Sequence, residues 1–517
     1  MQTDLPLFWS TTLVCAIALI RLPRNPTGTR KGWAFVFAAI LAQNAIGAYS
    51  TNGQFWIRAA AIEWAVLVLT PGLLINRYSL LLNQQRYRDA HRLARVISCL
   101  HPADGWRQQP QIIHALALAQ AGNVDSAVKI LDQHRTPSGI LSLTTAPALF
   151  RLTDQWEQML VWERENQAQI DTVPQLLHSR LRARAEIGDI SGMVHLYDQN
   201  KDRIAKLPLK GSAANCRLML FVFCGQREQV ARLFGGVLAM IPHPVQKYWL
   251  ASADLYAGNI ESGRQQLTAL SSEADPGLRL AIDRRFARCP AVPASLSPSD
   301  REIVAAAVQE QLHEHIYTPN ANVLSPAARG SLVLIVANCV MYAVETASGG
   351  GTNLDVLYRL GAMFWPSIRA GEYWRIFSAN FLHFGLLHLA MNALGLLVLG
   401  PTVEAIIGTR KFLLIYLLSG MCSLSLVGIL QGSHPQLIVG ASGAIMGLVG
   451  ALAAVMLRGW FSTKAAIVRR RLNLVAAIIV MQIAFDLMIP EVSMAAHLSG
   501  AVIGFILTFL FAARPQT

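Results

Sequence analysis

The chain has 517 residues, of which 53% are hydrophobic and 15% are charged. This composition is too apolar for a soluble protein of such length, so we expect several membrane spans. The net charge of +13 comes without a basic stripe of interleaved aromatic residues and without zinc-finger spacing, which argues against nucleic-acid binding. We therefore attribute the positive charge to membrane topology.

The seven cysteines are scattered along the chain and form no Cys-x-x-Cys pair. Such spacing predicts neither a disulfide framework nor a zinc site. No other motif predicts a metal or a cofactor, so we expect the protein to work with its own side chains alone.

Residues 1–78 form a first apolar block. A helix needs about 20 apolar residues to cross a bilayer, and we predict three spans here, at 5–20, 33–49 and 55–75. No basic residue precedes the first run, whereas a cleavable signal peptide normally begins with one. We therefore expect the first run to be retained as a span.

Residues 79–289 have a soluble composition and contain a weak repeat. In each copy, a small or apolar helix end is followed by a turn residue, a polar pair and another helix. The turn residues are Gly122, Gly188, Gly225 and Gly258, with a degenerate copy at Asp154. A period of about 34 residues is the signature of helix-turn-helix tetratricopeptide repeats, and the domain resembles that family.

This resemblance implies a helical-repeat domain whose concave surface binds a peptide or a partner protein. The aromatic and proline positions of the tetratricopeptide pattern are mostly missing, so an irregular helical domain is the alternative. No residue of the domain has the pattern of a catalytic group. Residues 290–329 follow as a proline-containing linker with an amphipathic stretch at 301–314.

Residues 330–514 form a second apolar block. Six spans are predicted there, at 331–346, 381–399, 412–430, 441–457, 474–489 and 495–512. Lysine and arginine collect on the cytoplasmic side of membranes, and here they occupy alternate loops, around Arg410 and around Arg470. Together with the basic loop near Arg24, these charges predict an outside N-terminus and a cytoplasmic middle domain.

Ionisable side chains are rare within these spans, and their cost in a bilayer makes each one a functional candidate. We single out His383, His388, Glu404, Asp486 and His497, accompanied by the polar residues Asn392 and Ser442. Four of the seven lie near the outer ends of their spans if the spans alternate: His388, Asn392, Ser442 and His497. We therefore expect these four side chains to meet at shallow depth.

Together, these groups have the chemistry of acyl transfer. A serine hydroxyl becomes a nucleophile when a base takes its proton, and His497 is the predicted base for Ser442. The oxyanion that forms needs hydrogen-bond donors, which His388, Asn392 and the backbone N–H of Ser442 supply. The two helices that carry the serine and the histidine are rich in small residues, which permits their close approach.

The order of these residues along the chain carries a family resemblance. The motifs are Trp374-Arg375, His383, His388-x-x-x-Asn392, Gly440-x-Ser442-Gly443 and Ala496-His497-x-x-Gly500-x-x-x-Gly504. Over residues 330–514 they resemble the rhomboid family of intramembrane serine proteases. The predicted fold class is thus an all-α membrane protein, with a six-helix rhomboid-like bundle, three N-terminal transmembrane helices and a cytoplasmic repeat domain.

The resemblance implies a catalytic dyad of Ser442 and His497, with His388 and Asn392 as oxyanion donors. It also implies cleavage of transmembrane proteins near the outer membrane face, so the expected partners are those substrates and the lipid bilayer. Structural roles near the site are expected for His383, Trp374, Arg375, Gly440 and Gly443.

The family pattern does not account for two residues that are expected near His497. Many family members have an aromatic residue one turn after the nucleophile, where this chain has Met446, whose side chain can fill that volume. Asp486 has the chemistry to orient His497, but it precedes a proline turn and the family does not require it. We therefore expect a dyad without Asp486.

Other types of intramembrane protease fit the sequence poorly. A zinc enzyme needs a His-Glu-x-x-His helix, which is missing from the sequence, and an aspartyl enzyme needs two facing carboxylates. Glu404 and Asp486 are expected at opposite membrane faces. The remaining alternative is a catalytically silent rhomboid-like adaptor that binds transmembrane helices and recruits partners through its repeats.

Each polar residue also has a structural explanation when it is taken singly. Ser442 fits a packing role in a glycine-rich helix, and His497 fits a hydrogen bond to a backbone carbonyl. Their joint occurrence with His388 and Asn392 favours catalysis. An apolar N-terminus without an Arg- and Ser-rich presequence favours a bacterial cytoplasmic membrane as the location.

Overall fold

The computed structural model describes residues 5–21, 31–134, 140–205, 207, 210–288, 296–319, 321–431, 436–488 and 494–511. Helices make up 82% of the structure, and the described residues form no β-strand beyond one isolated bridge. The chain divides into two compact units, residues 1–307 and 308–517. Several sequence predictions fall outside the described residues: the basic loop near Arg24, the first part of the linker at 290–295, and the ends of the last two spans at Ile489 and Ala512.

The first unit is built from short helices that follow one another closely. They are α1 (Leu5–Arg21), α2 (Lys31–Tyr49), α3 (Gly53–Trp64), α4 (Thr70–Asn83), α5 (Tyr87–Leu100), α6 (Gln109–Gln120), α7 (Val124–Gln133), α8 (Ile140–Thr153), α9 (Trp156–Glu165), α10 (Gln167–Ile170), α11 (Leu177–Glu186), α12 (Ile190–Gln199), α13 (Lys201–Ala205), α14 (Lys210–Phe223), α15 (Arg227–Gly235), α16 (His243–Tyr256), α17 (Ile260–Glu273) and α18 (Pro276–Ala287). A π-helical segment, Ala65–Leu69, joins α3 and α4 into one continuous helix. Helix α19 (Pro298–Tyr317) follows α18.

Six turns of the first unit share one backbone geometry. A residue with positive φ follows a helix at Gln85, Gly122, Asp154, Gly188, Gly225 and Gly258, at intervals of 32 to 37 residues. In all six, the next N–H donates to the carbonyl oxygen five residues earlier, as from Asn123 to Leu118 at 2.9 Å. Glycine adopts positive φ without steric cost, which explains why four of the six are glycine. Residues 79–289 therefore contain repeated helix-turn-helix units.

A buried ion pair fixes the last helix of this domain. Arg285 of α18 donates to both carboxylate oxygens of Glu186 on α11, at 3.1 and 2.8 Å. Burial opposes the ionisation of Glu186, but the positive charges of Arg285 and Arg182 outweigh that effect and hold the pKa of this carboxyl below its ordinary value. A paired buried charge of this kind holds α18 against the repeats.

The second unit surrounds one central helix. Its helices are α20 (Arg329–Ala347), α21 (Leu354–Arg359), α22 (Trp365–Arg369), α23 (Arg375–Ser378), α24 (Leu386–Ile407), α25 (Thr409–Gln431), α26 (Ser442–Thr463), α27 (Ala466–Met488) and α28 (Met494–Phe511). Helix α26 packs against α24, α25, α27 and α28, and most of its residues are buried. The helix that begins at Ser442 is therefore the core of the unit.

Six helical stretches of the described residues are long and apolar enough to cross a membrane. They are Lys31–Tyr49, Gly53–Asn83, Pro326–Ala347, Leu386–Ile407, Thr409–Leu430 and Ser442–Thr463. Each overlaps a predicted span. The other three predicted spans correspond to α1, α27 and α28, of which Thr11–Ile20 and Met494–Leu510 are shorter apolar helices. That these three also cross the membrane stays a prediction.

The predicted span at 381–399 contains a turn near its start. Helix α24 begins at Leu386, because Gly385 has φ of 85° and cannot continue a right-handed helix backwards. His383 therefore lies in the loop before the helix, and its placement inside a span was wrong. The helix then continues through Pro401 to Ile407.

Glu404 near the end of α24 caps the start of α20. Its carboxylate accepts hydrogen bonds from the N–H groups of Gly330 and Ser331 at 2.8 and 2.7 Å. It also accepts from the hydroxyls of Ser331 and Thr409 at 2.8 and 2.7 Å. The first N–H groups of a helix have no partner within it, so Glu404 joins two membrane helices by satisfying them.

We expect Glu404→Gln to destabilise the protein by about 1–3 kcal/mol, because the amide NH₂ would face donors that need an acceptor. Thermal unfolding of purified protein in detergent micelles measures the change. Glu302→Gln, the same substitution at an exposed position, is the matched control and should leave the unfolding temperature unchanged. Equal unfolding temperatures for both variants would contradict the capping role.

Candidate active site

The candidate nucleophile lies at the N-terminus of the central helix. Ser442 is the first residue of α26 and is half-buried. It follows Gly440, whose φ is 128°, a conformation that favours glycine. The first N–H groups of a helix lack intrahelical partners, so the backbone at Ser442 offers donors beside its hydroxyl.

Main-chain hydrogen bonds hold the turn before Ser442. The N–H of Gly440 donates to the carbonyl oxygen of Ala379 at 2.9 Å, and Met363 and Ile438 exchange two backbone hydrogen bonds of 3.0 and 2.9 Å. The long loop after α20 is thereby joined to the segment that leads into α26. Ser442 is thus held by backbone atoms on its N-terminal side.

Glycines bring α26 and α28 into backbone contact. A Cβ on Gly500 would overlap the carbonyl group of Gly443, and a Cβ on Gly504 would overlap that of Gly447. One turn nearer the start of α28, a Cβ on Gly443 would lie 3.5 Å from the carbonyl oxygen of Ala496. The residue after Ser442 therefore lies against the residue before His497.

His497 is buried and makes a close contact with an acid. Its Nδ1 lies 2.9 Å from each carboxylate oxygen of Asp486 on α27. Gln482, one turn earlier on α27, donates to Oδ1 of Asp486 at 2.7 Å. Sequence reasoning considered Asp486 but did not expect it to contribute. Met446 is buried in the helix core, and its packing against His497 stays a prediction.

The ring of His388 lies against the nucleophile turn. A Cβ on Gly440 would lie 2.7 Å from Cε1 and 2.9 Å from Nε2 of His388. The backbone N–H of Phe384 donates to Nδ1 of His388 at 3.3 Å. A neutral imidazole that accepts at Nδ1 carries its proton on Nε2, so His388 presents an N–H donor beside the turn that leads to Ser442.

Asn392 is buried one turn further along α24. Its amide nitrogen donates to the carbonyl oxygen of His388 at 3.0 Å, which uses one of its two N–H groups. The contact fixes the side chain on the helix face that also carries His388. Its second N–H is the donor that an oxyanion role requires.

His383 holds the loop in front of α24. Its backbone N–H donates to Oε1 of Glu345 at 2.9 Å, and its ring is edge-on to that of His388 with centroids 5.3 Å apart. Sequence reasoning overlooked Glu345, which is completely buried near the end of α20. The available signal was an acidic residue at the end of an apolar run, just before a glycine-rich turn.

Trp374 and Arg375 anchor the long loop between α20 and α24. The Arg375 guanidinium is buried and donates to Glu372 and to the carbonyl oxygen of Tyr358. It also lies 4.2 Å from the ring centroid of Tyr358 and 4.7 Å from that of Trp374. These contacts fold the loop on itself, in keeping with a structural role.

Comparison with known proteins identifies the second unit. Residues 370–514 match the model of the Rhomboid domain. Over 173 residues the chain is 33% identical to "Rhomboid protease GluP" of Bacillus subtilis, a match that covers 34% of this chain and 33% of that protein. Over 168 residues it is 36% identical to "RHOMBOID-like protein 6, mitochondrial" of Arabidopsis thaliana, covering 32% and 53%.

A shorter relative is covered more completely. The chain is 31% identical over 141 residues to "Putative rhomboid protease YdcA" of Bacillus subtilis, which covers 27% of this chain and 68% of that protein. The chain belongs to the rhomboid family, and it is an integral, multi-pass membrane protein. It spans about a third of the length of GluP and about half that of RHOMBOID-like protein 6.

Proposed function

We propose that this protein is an intramembrane serine endopeptidase that hydrolyses peptide bonds of transmembrane substrates with Ser442 and His497. The observation that carries the proposal is the glycine contact between α26 and α28, which sets Gly443 against Ala496. This contact brings together the chain segments that bear a nucleophile and a base, as serine catalysis requires.

The reaction follows from these groups. His497 takes the hydroxyl proton of Ser442 as the oxygen attacks the substrate carbonyl, and it later gives that proton to the leaving amine. The oxyanion accepts hydrogen bonds from His388, Asn392 and the backbone N–H of Ser442, each worth about 10²–10³-fold in rate by comparison with other serine proteases. Water then hydrolyses the acyl-enzyme and frees Ser442.

The membrane arrangement extends this proposal. The active site opens towards the outer leaflet of a bacterial cytoplasmic membrane, and the substrates are cleaved near their outer ends. The loop that carries Trp374 and Arg375 lies partly in that leaflet. The three N-terminal helices at 1–78 anchor the chain, and the middle domain lies in the cytoplasm.

The middle domain, residues 79–289, acts as a tetratricopeptide-like binding domain for a protein or peptide partner. Its repeated turns support this role, and so does a pocket of about 580 Å³ within the first unit. Arg182 in the pocket wall lies between the rings of Trp156 and Trp249, 5.1 and 5.0 Å from their centroids. Because this guanidinium also donates to Glu186 at 3.0 Å, the wall offers a ligand aromatic surface beside a paired charge.

Purified full-length protein in liposomes tests the proposed activity. We expect it to cleave a model transmembrane substrate with a helix-destabilising segment near its outer end. We also expect a fluorophosphonate probe to attach covalently to Ser442, which peptide mass spectrometry locates. Folded protein that neither cleaves the substrate nor reacts with the probe would favour the alternative, a silent rhomboid-like adaptor.

A further inference from the structure

We infer that Asp486 is a positioning residue for His497, so that the site works as a triad of Ser442, His497 and Asp486. This inference rests on the proposed protease function and adds a third group to it. The contact between the acid and the imidazole carries it, since both carboxylate oxygens lie 2.9 Å from Nδ1 of His497.

The contact sets the tautomer of the imidazole. An ionised carboxylate accepts hydrogen bonds and cannot donate them, so the proton of neutral His497 lies on Nδ1. Nε2 then carries the lone pair that a general base needs. An imidazole with its proton on Nε2 would be unable to take the hydroxyl proton of Ser442 through that nitrogen.

Both side chains of the pair are buried, and burying them would be energetically costly without the contact between them. The side chain of Asp486 is 1% exposed and that of His497 is 7% exposed. A buried carboxylate is costly unless it is paired and hydrogen-bonded. In the described parts of the chain, the ion pairs of Asp486 include no lysine or arginine, so its positively charged partner is the imidazolium that forms on His497 during catalysis.

Gln482 holds the carboxylate in place. It lies four residues before Asp486, on the same face of α27, and donates to Oδ1 at 2.7 Å. Its amide nitrogen is also 3.1 Å from Nδ1 of His497. Because Nδ1 bears a proton in the tautomer set by Asp486, the amide of Gln482 is assigned to the carboxylate.

The third residue does not change which protons are transferred in the reaction. The proton of Ser442 moves to Nε2 of His497 as the bond between Oγ and the substrate carbon forms. Asp486 keeps its hydrogen bond to Nδ1 and stabilises the imidazolium, without becoming protonated. The proton then leaves with the amine as the peptide C–N bond breaks.

Kinetics of Asp486 variants in full-length protein test the inference. We expect Asp486→Asn to lower kcat at least tenfold, and by up to about 10⁴-fold as in other serine-histidine-aspartate enzymes. KM should stay near the wild-type value, since the interaction is made in the transition state. Asp486→Glu keeps a carboxylate and should recover much of the rate. Asp355→Asn makes the same change at an exposed position and is the matched control.

The rate of fluorophosphonate attachment to Ser442 gives a second readout that needs no substrate binding. It should fall in Asp486→Asn by the same factor as kcat. If Asp486→Asn fails to fold, Gln482→Met removes the hydrogen bond that holds the carboxylate, and we expect it to lower kcat about fivefold.

The outcomes separate the inference from the proposed function. Folded Asp486→Asn, or Gln482→Met where it replaces that variant, with wild-type kcat and labelling rate would overturn the triad and leave the Ser442 and His497 dyad intact. A loss of kcat in Asp486→Asn with labelling unchanged would also overturn it. Cleavage that persists in Ser442→Ala would instead overturn the proposed function, and the triad with it.

Discussion

Replacing Ser442 with alanine is expected to reduce cleavage of a transmembrane substrate by at least about 10⁴-fold. Alanine has no hydroxyl to attack the carbonyl, while the backbone turn that Gly440 sets up is unaffected. Attachment of a fluorophosphonate should vanish as well. Because Ser442 is half-buried and alanine keeps its Cβ, we expect the thermal unfolding temperature to stay within a few degrees of wild type.

The same substitution on a neighbouring helix provides the control. Ser425 of α25 is half-buried and donates to the carbonyl oxygen of Met421 at 2.8 Å, so Ser425→Ala should retain activity. Groups that act as a unit are not additive in their effects. A variant that combines Ser442→Ala with His497→Ala should therefore be no slower than either single variant, and a further loss would contradict the assignment of one catalytic unit.

Gly500→Ala is expected to lower cleavage about 100-fold and to destabilise the protein by about 1–3 kcal/mol. The added Cβ would overlap the carbonyl group of Gly443, so α26 and α28 must move apart. That movement separates the segments bearing Ser442 and His497, and a displacement of about 1 Å is enough for such a loss of rate. Cleavage kinetics and thermal unfolding measure the two effects.

Gly72→Ala adds the same methyl group at a position where, apart from the adjacent backbone of its own helix and its two chain neighbours, no atom lies within 4 Å. Alanine is favoured over glycine in a helix by about 1 kcal/mol, so this control should be neutral or slightly stabilising. If Gly500→Ala retained full activity and stability, the close contact between the two helices would not be what brings the site together.

The candidate site residues could be selected from the sequence by their residue type and their expected depth in the membrane. Ser442 and His497 stand out as a nucleophile and a base at helix ends, and glycines in α26 and α28 indicate a close approach. The geometry then adds what spacing cannot specify. The proton position on His388 depends on the backbone N–H of Phe384, a contact made by a loop whose path the sequence does not reveal.

The contact between Asp486 and His497 could not be predicted from the sequence. Its four-residue spacing from Gln482 is visible in the sequence, but its distance from His497 depends on how α27 and α28 are oriented across their connection. Glu345 was overlooked for a related reason, because hydropathy assigns it to the end of a span and says nothing of a partner 38 residues away. Both acids make contacts with residues distant in sequence, whereas hydrophobic periodicity predicts only contacts between residues close in sequence.

The six candidate spans begin close to the predicted starts, but three of them extend six to eight residues past the predicted ends, to Asn83, Ile407 and Thr463. At the start of α24, the left-handed Gly385 lies inside an otherwise apolar stretch. In the middle domain, the turn predicted at Asp154 has the same positive φ as the glycine turns, and Gln85 forms a further such turn that was not predicted.

The backbone contacts around Gly440 have a consequence for how the sequence of this turn can vary. The bonds from Gly440 to Ala379 and between Ile438 and Met363 involve only peptide groups, which every residue other than proline possesses. The side chains of Leu437, Ile438 and Val439 pack partly buried against apolar clusters that include residues of the loop after α20. Apolar residues can therefore replace one another at 437–439 while the backbone bonds that hold the turn before Ser442 are kept.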